Sequence, residues 1–323
     1  MTYLRYVRAI LPGFLLGCII YLLGVFYQIG APTDTSFPTY ERYKIKFSRA
    51  NSLNIPKLVV VSGSNADSGI SCKMIQEETG VVCANGAGNV ALGTDYILSI
   101  ARSLIKPGDI VILPLEYELY VDLKLNDQLI DYVFARDPKY FKSADLMTQI
   151  RLISGISFER LILGIISKTK IIKSKTVGES YKFINEYGDR INIREADMTE
   201  KELKLITEAK PIIISGYVKS SHNMIRISKF VDWCHKNNIK VIATWTNTIS
   251  FEVYKESRYQ EFFQSIEDFY KNLSVPLLGK PIDFMYDKSM FYDSVYHLND
   301  RGVSHRTRQL IDLLRPYIQS KKV

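Results

Sequence analysis

The feature that most constrains this chain is an uncharged, apolar stretch near its N-terminus, residues 9–29. At 1.5 Å rise per residue, a helix of this length is about 30 Å long, which matches the hydrocarbon core of a bilayer. The stretch predicts one transmembrane helix, with residues 1–30 as an anchor. A lipoprotein or cleaved signal ending near Cys18 fits less well, because the apolar run continues for about ten residues beyond that position.

Basic residues flank the predicted span on both sides. Arg5 and Arg8 precede it with no acidic residue nearby, so the positive-inside rule places the N-terminus in the cytoplasm and the rest of the chain outside. Three basic residues after the span weaken this asymmetry and leave the inverted topology as an alternative: Arg42, Lys44 and Lys46.

The composition beyond the anchor is that of a folded protein. Hydrophobic residues make up 46% of the chain and charged residues 24%, which excludes a disordered tail or a collagen-like fibre. Of the 42 basic and 34 acidic residues, only Arg5 and Arg8 lie in the anchor, so the rest of the chain has 40 basic and 34 acidic residues, a formal surplus of +6. This surplus favours an anionic surface such as a phospholipid headgroup layer or an acidic glycan. Because no lysine or arginine stripe is interleaved with aromatic residues, we expect no nucleic-acid partner.

After the anchor, residues 31–56 contain three prolines and no sustained periodicity, and we interpret them as a tether. Residues 57–323 form the predicted α/β domain. Its first part has the order βαβαβ, which implies parallel strands with right-handed crossovers: strands at 58–62, 81–85 and 109–115, and helices at 69–79 and 91–104. Residues 118–210 read as a mostly helical insertion. The alternation then resumes with a strand at 211–218, a helix around 224–234, a strand at 240–245 and a final helix around 303–314.

Ligands of open α/β sheets bind beyond the carboxyl ends of the strands, so we looked for chemistry there. The first block, residues 62–69 (SGSNADSG), places Ser64 on a turn before a helix, where its hydroxyl could act as a nucleophile. Serine, asparagine and aspartate are also the preferred helix N-caps, so this block has a purely structural alternative.

The second block, residues 85–89 (NGAGN), has glycines that let a backbone approach a ligand and expose its N–H groups. It suits an oxyanion hole. It also reads as G-x-G-x-x-A, the dinucleotide fingerprint, with Glu116 as a ribose ligand. Against that alternative, the loop follows the second strand and Glu116 lies beyond the usual spacing of about 20 residues.

The closing block, residues 291–302, is a polar loop directly before the last helix and contains Asp293 and His297. A serine hydroxyl is a weak nucleophile at its ordinary pKa, so an imidazole must take its proton and a carboxylate must orient the imidazole. The closing block could supply both groups. The alternative for His297 is a loop histidine that helps to cap the helix.

Together, these blocks resemble the SGNH/GDSL hydrolase superfamily. Its pattern is a G-x-S turn after the first strand, a glycine loop after the second, often an asparagine after the third, and an Asp/His pair before the last helix. The matching positions are Ser64 for the nucleophile, Gly86, Gly88 and Asn89 for the second block, and Asp293 with His297 for the closing pair. The likeness is closest to membrane-anchored members linked to envelope glycans.

The resemblance implies a flavodoxin-like, three-layer α/β/α fold around a parallel sheet, with a serine nucleophile and no cofactor or metal. Ser64 would attack the acyl carbon, His297 would act as base and then acid, and Asp293 would orient His297. The oxyanion and substrate would be held by the Ser64 N–H and by other residues of the blocks: Gly86, Gly88, Asn89, Asn65 and Glu116.

Two departures from the family pattern bear on the site. Asp293 lies four residues before His297, whereas the usual pair is Asp-x-x-His. The third block, residues 113–118 (LPLEYE), has no asparagine, and a negative Glu116 beside an oxyanion would oppose catalysis unless it were protonated or turned away.

The sequence thus predicts a membrane-anchored, extracytoplasmic serine acyl-esterase or O-acyltransferase that acts on an O-acylated glycan of the cell envelope or of an exported polysaccharide. The expected partners are the membrane, a glycan or acylated small molecule, and a membrane-embedded acyl-transfer or polysaccharide-export protein. A catalytically silent SGNH-like scaffold and a dinucleotide-binding oxidoreductase are the alternatives. Cys72 and Cys83 could form a disulfide outside the cell or remain two buried thiols.

Overall fold

The computed structural model describes residues 2–122, 125–169, 182–214 and 216–318. They fall into two compact units. The first unit comprises residues 1–40 and 125–178, and the second comprises residues 41–124 and 179–323. The predicted insertion at 118–210 therefore contributes to both units.

In the first unit, the N-terminal stretch forms helix α1, Thr2–Tyr27. Its segment Ile10–Tyr27 has a mean hydropathy of 2.2 and is only 6% buried, so α1 is long and apolar enough to cross a membrane. The unit also contains four helices from the insertion: α6 (Asp127–Arg136), α7 (Pro138–Ser143), α8 (Leu146–Ser154) and α9 (Phe158–Thr169).

The second unit is built on a five-stranded parallel sheet, which confirms the predicted α/β class. Its strands are β1 (Leu58–Val60), β2 (Cys83–Asn85), β3 (Ile110–Leu113), β4 (Lys240–Thr244) and β6 (Leu277–Leu278), in the order β2-β1-β3-β4-β6. A separate parallel pair joins β5 (Thr248–Ile249) to β7 (Met285–Tyr286). The apolar, β-branched runs form these strands because both faces of the sheet are buried.

The helices of the second unit lie partly where the sequence predicted them. The predicted ones are α4 (Cys72–Thr79), α5 (Gly93–Leu104), α11 (His222–Lys236) and α13 (Asp300–Ile318), and α10 (Glu200–Thr207) lies within the predicted helical insertion. The short α3 (Ser64–Asp67) and the long α12 (Ser257–Asn272) were not predicted. Leu58, Val60 and Ile112 of the sheet share a core cluster with Ile75 of α4 and Leu310 of α13. On this scaffold, α3 begins just beyond β1 and α13 just beyond residue 299.

The strand predicted at residues 211–218 is wrong for the part that the structure describes, residues 211–214 and 216–218. The backbone of Ile212 bonds to side chains: its N–H donates to Tyr254 Oη at 3.1 Å, and its oxygen accepts from Tyr259 Oη at 2.9 Å. Ile213 is 94% exposed. The fifth place in the sheet belongs to β6, a two-residue strand that the sequence analysis did not predict.

The segment interpreted as a tether contains a regular helix, α2 (Phe37–Ser52). Residues 37–40 of α2 belong to the first unit and residues 41–52 to the second. The buried residues Tyr43, Lys46 and Ala50 recur at helical spacing, which the prolines and polar residues around them obscured.

Of the two alternatives for Cys72 and Cys83, the structure has the disulfide. It joins the first residue of α4 to the first residue of β2. Both cysteines are buried. The bond therefore ties the helix after the first block to the strand before the second block.

Candidate active site

The first block connects β1 to α3 and is buried except at one residue. Ser64 begins α3 and is partly exposed, whereas residues 61–63 and 65–70 are all buried. Ser62 Oγ lies within hydrogen-bond distance of three acceptors: Asn65 Oδ1 at 2.7 Å, Pro114 O at 2.8 Å and Glu116 Oε2 at 3.0 Å. Of the serines in this block, Ser64 is therefore the one that solvent can reach.

The carboxylate of Glu116 lies beneath the first block and is fully buried. It accepts hydrogen bonds from the N–H groups of Gly63 and Asn65, both at 2.9 Å. A Cβ at residue 63 would lie 2.6 Å from Glu116 Oε2, so the close approach requires glycine. Burial raises the pKa of Glu116 above its ordinary value, against the opposing effect of the Asn65 N–H. Glu116 thus holds the turn from inside, instead of facing a substrate as the sequence analysis predicted.

Asn65, also predicted to face the substrate, is completely buried. Its Nδ2 lies 2.6 Å from Pro114 O and 2.7 Å from Thr246 Oγ1. Its main-chain oxygen accepts from the Arg306 guanidinium at 3.3 Å. Because Pro114 follows β3 and Thr246 follows β4, Asn65 joins three strand ends and makes its contacts within the protein.

The glycines of the second block are required by close packing. A Cβ at Gly86 would lie 2.8 Å from Leu104 Cδ1, and one at Gly88 would lie 2.7 Å from Tyr43 Cζ. The amides of this loop donate to acceptors of the chain: Gly86 to Val60 O at 2.9 Å, Ala87 to Asn85 Oδ1 at 3.1 Å, and Gly88 to Ser62 O at 2.9 Å. This corrects the predicted oxyanion role of Gly88, because its N–H extends the backbone pairing between the first and second blocks.

Asn89 ends the second block and caps the short 3₁₀ helix Val90–Leu92. Its Oδ1 accepts a hydrogen bond from Ala91 N–H at 2.9 Å.

The structure also bears on cofactor and metal binding. The amides of residues 86–88 are bonded within the chain, which weakens the dinucleotide alternative, because that alternative needs these amides to contact a pyrophosphate. In the described part of the chain, no three His, Cys, Asp or Glu side chains come together in a way that could hold a metal ion.

In the closing block, the structure pairs His297 with Asp293. His297 Nδ1 lies 2.5 Å from Asp293 Oδ1, and both side chains are partly exposed. Phe291 and Leu298 form an antiparallel bridge, and Tyr292 N–H donates to His297 O at 2.8 Å. The block is therefore a hairpin-like turn. Its geometry brings residues 293 and 297 together at a spacing of four, which explains how the pair tolerates one more residue than Asp-x-x-His.

Arg190 also contacts Asp293, and the sequence analysis missed it. Its Nη2 lies 3.3 Å from Asp293 Oδ2, and its Nη1 lies 3.2 Å from Ser68 Oγ. Burial would raise the pKa of Asp293, but the hydrogen bond and charge of His297 and the charge of Arg190 outweigh burial, so this pKa lies below its ordinary value. The lowered pKa favours the ionised carboxylate of Asp293, which has His297 at one oxygen and Arg190 at the other.

The closing block is bonded to the end of the first block. Leu298 N–H donates directly to Ser68 O at 3.0 Å. Arg190, which contacts Asp293, also donates its N–H to Asp67 O at 3.2 Å and so links the two blocks indirectly. Ser68 follows Ser64 by about one helical turn. These two links bring the closing block beside α3, the helix that begins with Ser64.

A second ion-pair group fixes α3 from the side of α2. Lys46 Nζ lies 2.8 Å from Asp67 Oδ1, with both side chains buried, and Arg42 pairs with Asp67 Oδ2. Burial would raise the pKa of Asp67, but the charges of Arg42 and Lys46 keep it below its ordinary value. The helical spacing of residues 43, 46 and 50 was the one signal in the sequence that could have placed Lys46 in the interior.

No protein-family model and no curated protein matches the chain. The crystal structure of protein YxiM from Bacillus subtilis aligns with 81% of this chain at 11% identity and a TM-score of 0.35, and the chain spans 57% of that structure. At this TM-score the likeness supports no inference about fold or activity.

Proposed function

We propose that the protein is a membrane-anchored, extracytoplasmic serine acyl-esterase or O-acyltransferase of the SGNH type. In this proposal its five-stranded sheet is the centre of a flavodoxin-like, three-layer α/β/α domain. The strand order β2-β1-β3-β4-β6 supports that assignment, because doubly wound sheets of this kind have the order 2-1-3-4-5.

The observation that carries the proposal is the His297–Asp293 pair on a turn that is hydrogen-bonded to the end of the first block. An oriented imidazole beside an accessible serine is the arrangement that nucleophilic acyl transfer requires. Ser64 is the accessible serine of the first block. The Asp293 carboxylate binds Nδ1 of His297, which leaves Nε2 as the nitrogen that exchanges a proton with the nucleophile.

The proposed reaction has two balanced steps. Ser64 Oγ attacks the acyl carbonyl while His297 accepts the hydroxyl proton, and the tetrahedral intermediate collapses as His297 returns that proton to the departing sugar oxygen. Water or a second hydroxyl then attacks the acyl-serine by the same route and restores Ser64. We assign the oxyanion to the Ser64 N–H and the Asn89 side chain. Gly88 is not included, because its N–H already donates to Ser62 O.

Two features support the extracytoplasmic placement. Helix α1 is long and apolar enough to anchor the chain, and Arg5 and Arg8 precede its apolar part. The Cys72–Cys83 disulfide belongs to an oxidising compartment. The glycan substrate and a membrane-embedded acyl-transfer or export partner rest on the family resemblance alone.

Intact-mass spectrometry after treatment with a fluorophosphonate tests the proposal on the full chain in lipid nanodiscs. We expect one adduct on Ser64, no adduct in Ser64→Ala and slower labelling in His297→Ala. The matched control is Ser62→Ala, which removes a buried hydroxyl of the same block and should retain the adduct. A chain that is folded by circular dichroism but takes no adduct would refute the enzyme and leave the silent scaffold.

A further inference from the structure

Two helices of the first unit expose stripes of large apolar side chains. Phe158, Ile162 and Ile166 recur every four residues along α9 and are 78%, 40% and 40% exposed. Leu163 lies beside this stripe and is also exposed. Helix α8 has a similar exposed set, namely Leu146, Met147 and Ile150. Contact with water is unfavourable for such stripes, and contiguous exposed apolar surface is typical of sites that bind a protein or a membrane.

Contacts with α1 place both helices along the last turns of the apolar span. A Cβ at Gly24 would lie 3.3 Å from Leu161 Cδ1, so α9 passes close to the backbone of α1. Tyr21 Oη donates to Ile153 O at 2.7 Å, which ties the end of α8 to α1. Both helices that carry the exposed stripes therefore pack against α1 near the end of its apolar segment.

The same part of α9 also contacts the chain directly after α1. Arg160 Nη1 contacts Gln28 Oε1 at 2.6 Å, and Arg160 Nε pairs with Asp131. Gln28 follows the last residue of α1, so α9 packs against the end of this helix, where its apolar segment stops.

We propose that α8 and α9 lie in the membrane surface at the end of α1, with their apolar stripes inserted among the lipid acyl chains. The occupant of the stripes is the bilayer itself. The inference rests on the membrane-spanning part of the proposed function and is independent of the catalytic part. In this arrangement α1, α8 and α9 all contact the bilayer, whereas the sequence analysis expected α1 to be the only contact.

Spin labels on the full chain test this inference. The background carries Cys18→Ser and Cys234→Ala and keeps the Cys72–Cys83 disulfide. Single cysteines for labelling replace Ile150 and Ile162 in the stripes. Arg151 and Lys168 are exposed control positions on the same two helices, and Leu16 marks the span. The chain is placed in nanodiscs with one copy each, made of phosphatidylcholine and phosphatidylglycerol, and label depth is read from relaxation by oxygen and by a water-soluble nickel chelate.

We expect the labels at 150 and 162 about 5–10 Å below the headgroup phosphates and the labels at 151 and 168 accessible to nickel. If positions 150 and 162 were as accessible to nickel as 151 and 168 while Leu16 stayed in lipid, the inference would be refuted and the anchor retained. A second preparation has two copies per disc. Label–label broadening at 162 in that preparation, with nickel access at 162 in single-copy discs, would identify the stripes as a dimer surface and refute the inference. Nickel access at Leu16 would overturn both the span and the inference, whereas the fluorophosphonate result would still decide the catalytic proposal.

Discussion

The first block and the closing block meet at the candidate active site but are held in different ways. In the first block, the polar groups around Ser64 have buried partners in Glu116 and Asn65. In the closing block, Asp293 and His297 are partly exposed and depend on each other and on one arginine. The contrast indicates that the first block contributes mainly to stability and the closing block mainly to reactivity, so substitutions in the two blocks should separate the two quantities.

The largest effect should come from Glu116→Ala, which removes the buried acceptor of two first-block N–H groups. Each stranded donor costs about 1–3 kcal/mol, so we expect a loss of roughly 2–6 kcal/mol of unfolding free energy. Denaturant unfolding followed by tryptophan fluorescence measures it, because the chain's two tryptophans, Trp233 and Trp245, both lie in the second unit. Glu116→Gln keeps one acceptor oxygen and should lose less. Equal losses in the two variants would contradict the role of the acceptor.

His297→Ala should produce the opposite profile. We expect the rate of fluorophosphonate labelling at Ser64 to fall by about 10²–10⁴-fold, because general-base catalysis typically contributes that much. The unfolding free energy should stay within about 0.5 kcal/mol of the parent, since the side chain is partly exposed. A stability loss as large as that of Glu116→Ala would contradict the claim that the closing block contributes mainly to reactivity.

Arg190→Ala should lower the labelling rate by about 10²-fold, because it frees one oxygen of the carboxylate that orients His297. Arg190→Lys restores the charge but not the two-pronged contact, and we expect intermediate labelling. Label incorporation over time at a fixed reagent concentration gives the rates. Loss of labelling that merely tracked loss of folded protein would show that Arg190 acts on stability alone.

Gly88→Ala should cost about 1–3 kcal/mol of unfolding free energy, because the added methyl group overlaps the Tyr43 ring. Gly17→Ala is the matched control. A Cβ at Gly17 has no neighbour within 4 Å in the described residues, and alanine favours a helix. If both substitutions left the tryptophan unfolding curve unchanged, the close contact at Gly88 would have no energetic weight.

The smallest effect concerns the pH dependence of stability. The pKa of Glu116 in the folded chain lies above its ordinary value of 4.5 because the group is buried. A raised carboxyl pKa stabilises the fold fully below the pKa of the unfolded group, and this contribution is lost as the pH rises through the folded pKa. The stability of the parent relative to Glu116→Gln should therefore fall as the pH rises above 4.5. A difference that grew with pH would reverse the assignment.

Much of the second unit could be predicted because its strands are short apolar runs bounded by turns. The predicted strands at 58–62, 81–85, 109–115 and 240–245 all contain strands of the parallel sheet. The run at 211–218 looked the same locally, but two tyrosine hydroxyls took the hydrogen bonds of its backbone. The two-residue strand β6 is too short to leave a periodic signal.

In the site, the sequence indicated Ser64 by its position after a strand, and Asp293 and His297 by their place in a polar loop before the last helix. Whether Glu116 faced a substrate or the interior could not be read from its position alone. Arg190 left no signal, because it lies in a segment without clear periodicity, more than a hundred residues before the carboxylate that it contacts.

The sequence by itself determined the apolar helix α1, the parallel α/β class, and the serine, histidine and aspartate on which the proposed chemistry depends. These follow from local patterns, because hydrophobic periodicity and turn residues report how a short segment meets its surroundings. The tertiary structure decided which polar groups are buried, how a four-residue spacing brings Asp293 to His297, and which arginine holds that carboxylate. Such contacts join segments that are distant along the chain, and they exist only once the sheet has brought its strand ends together.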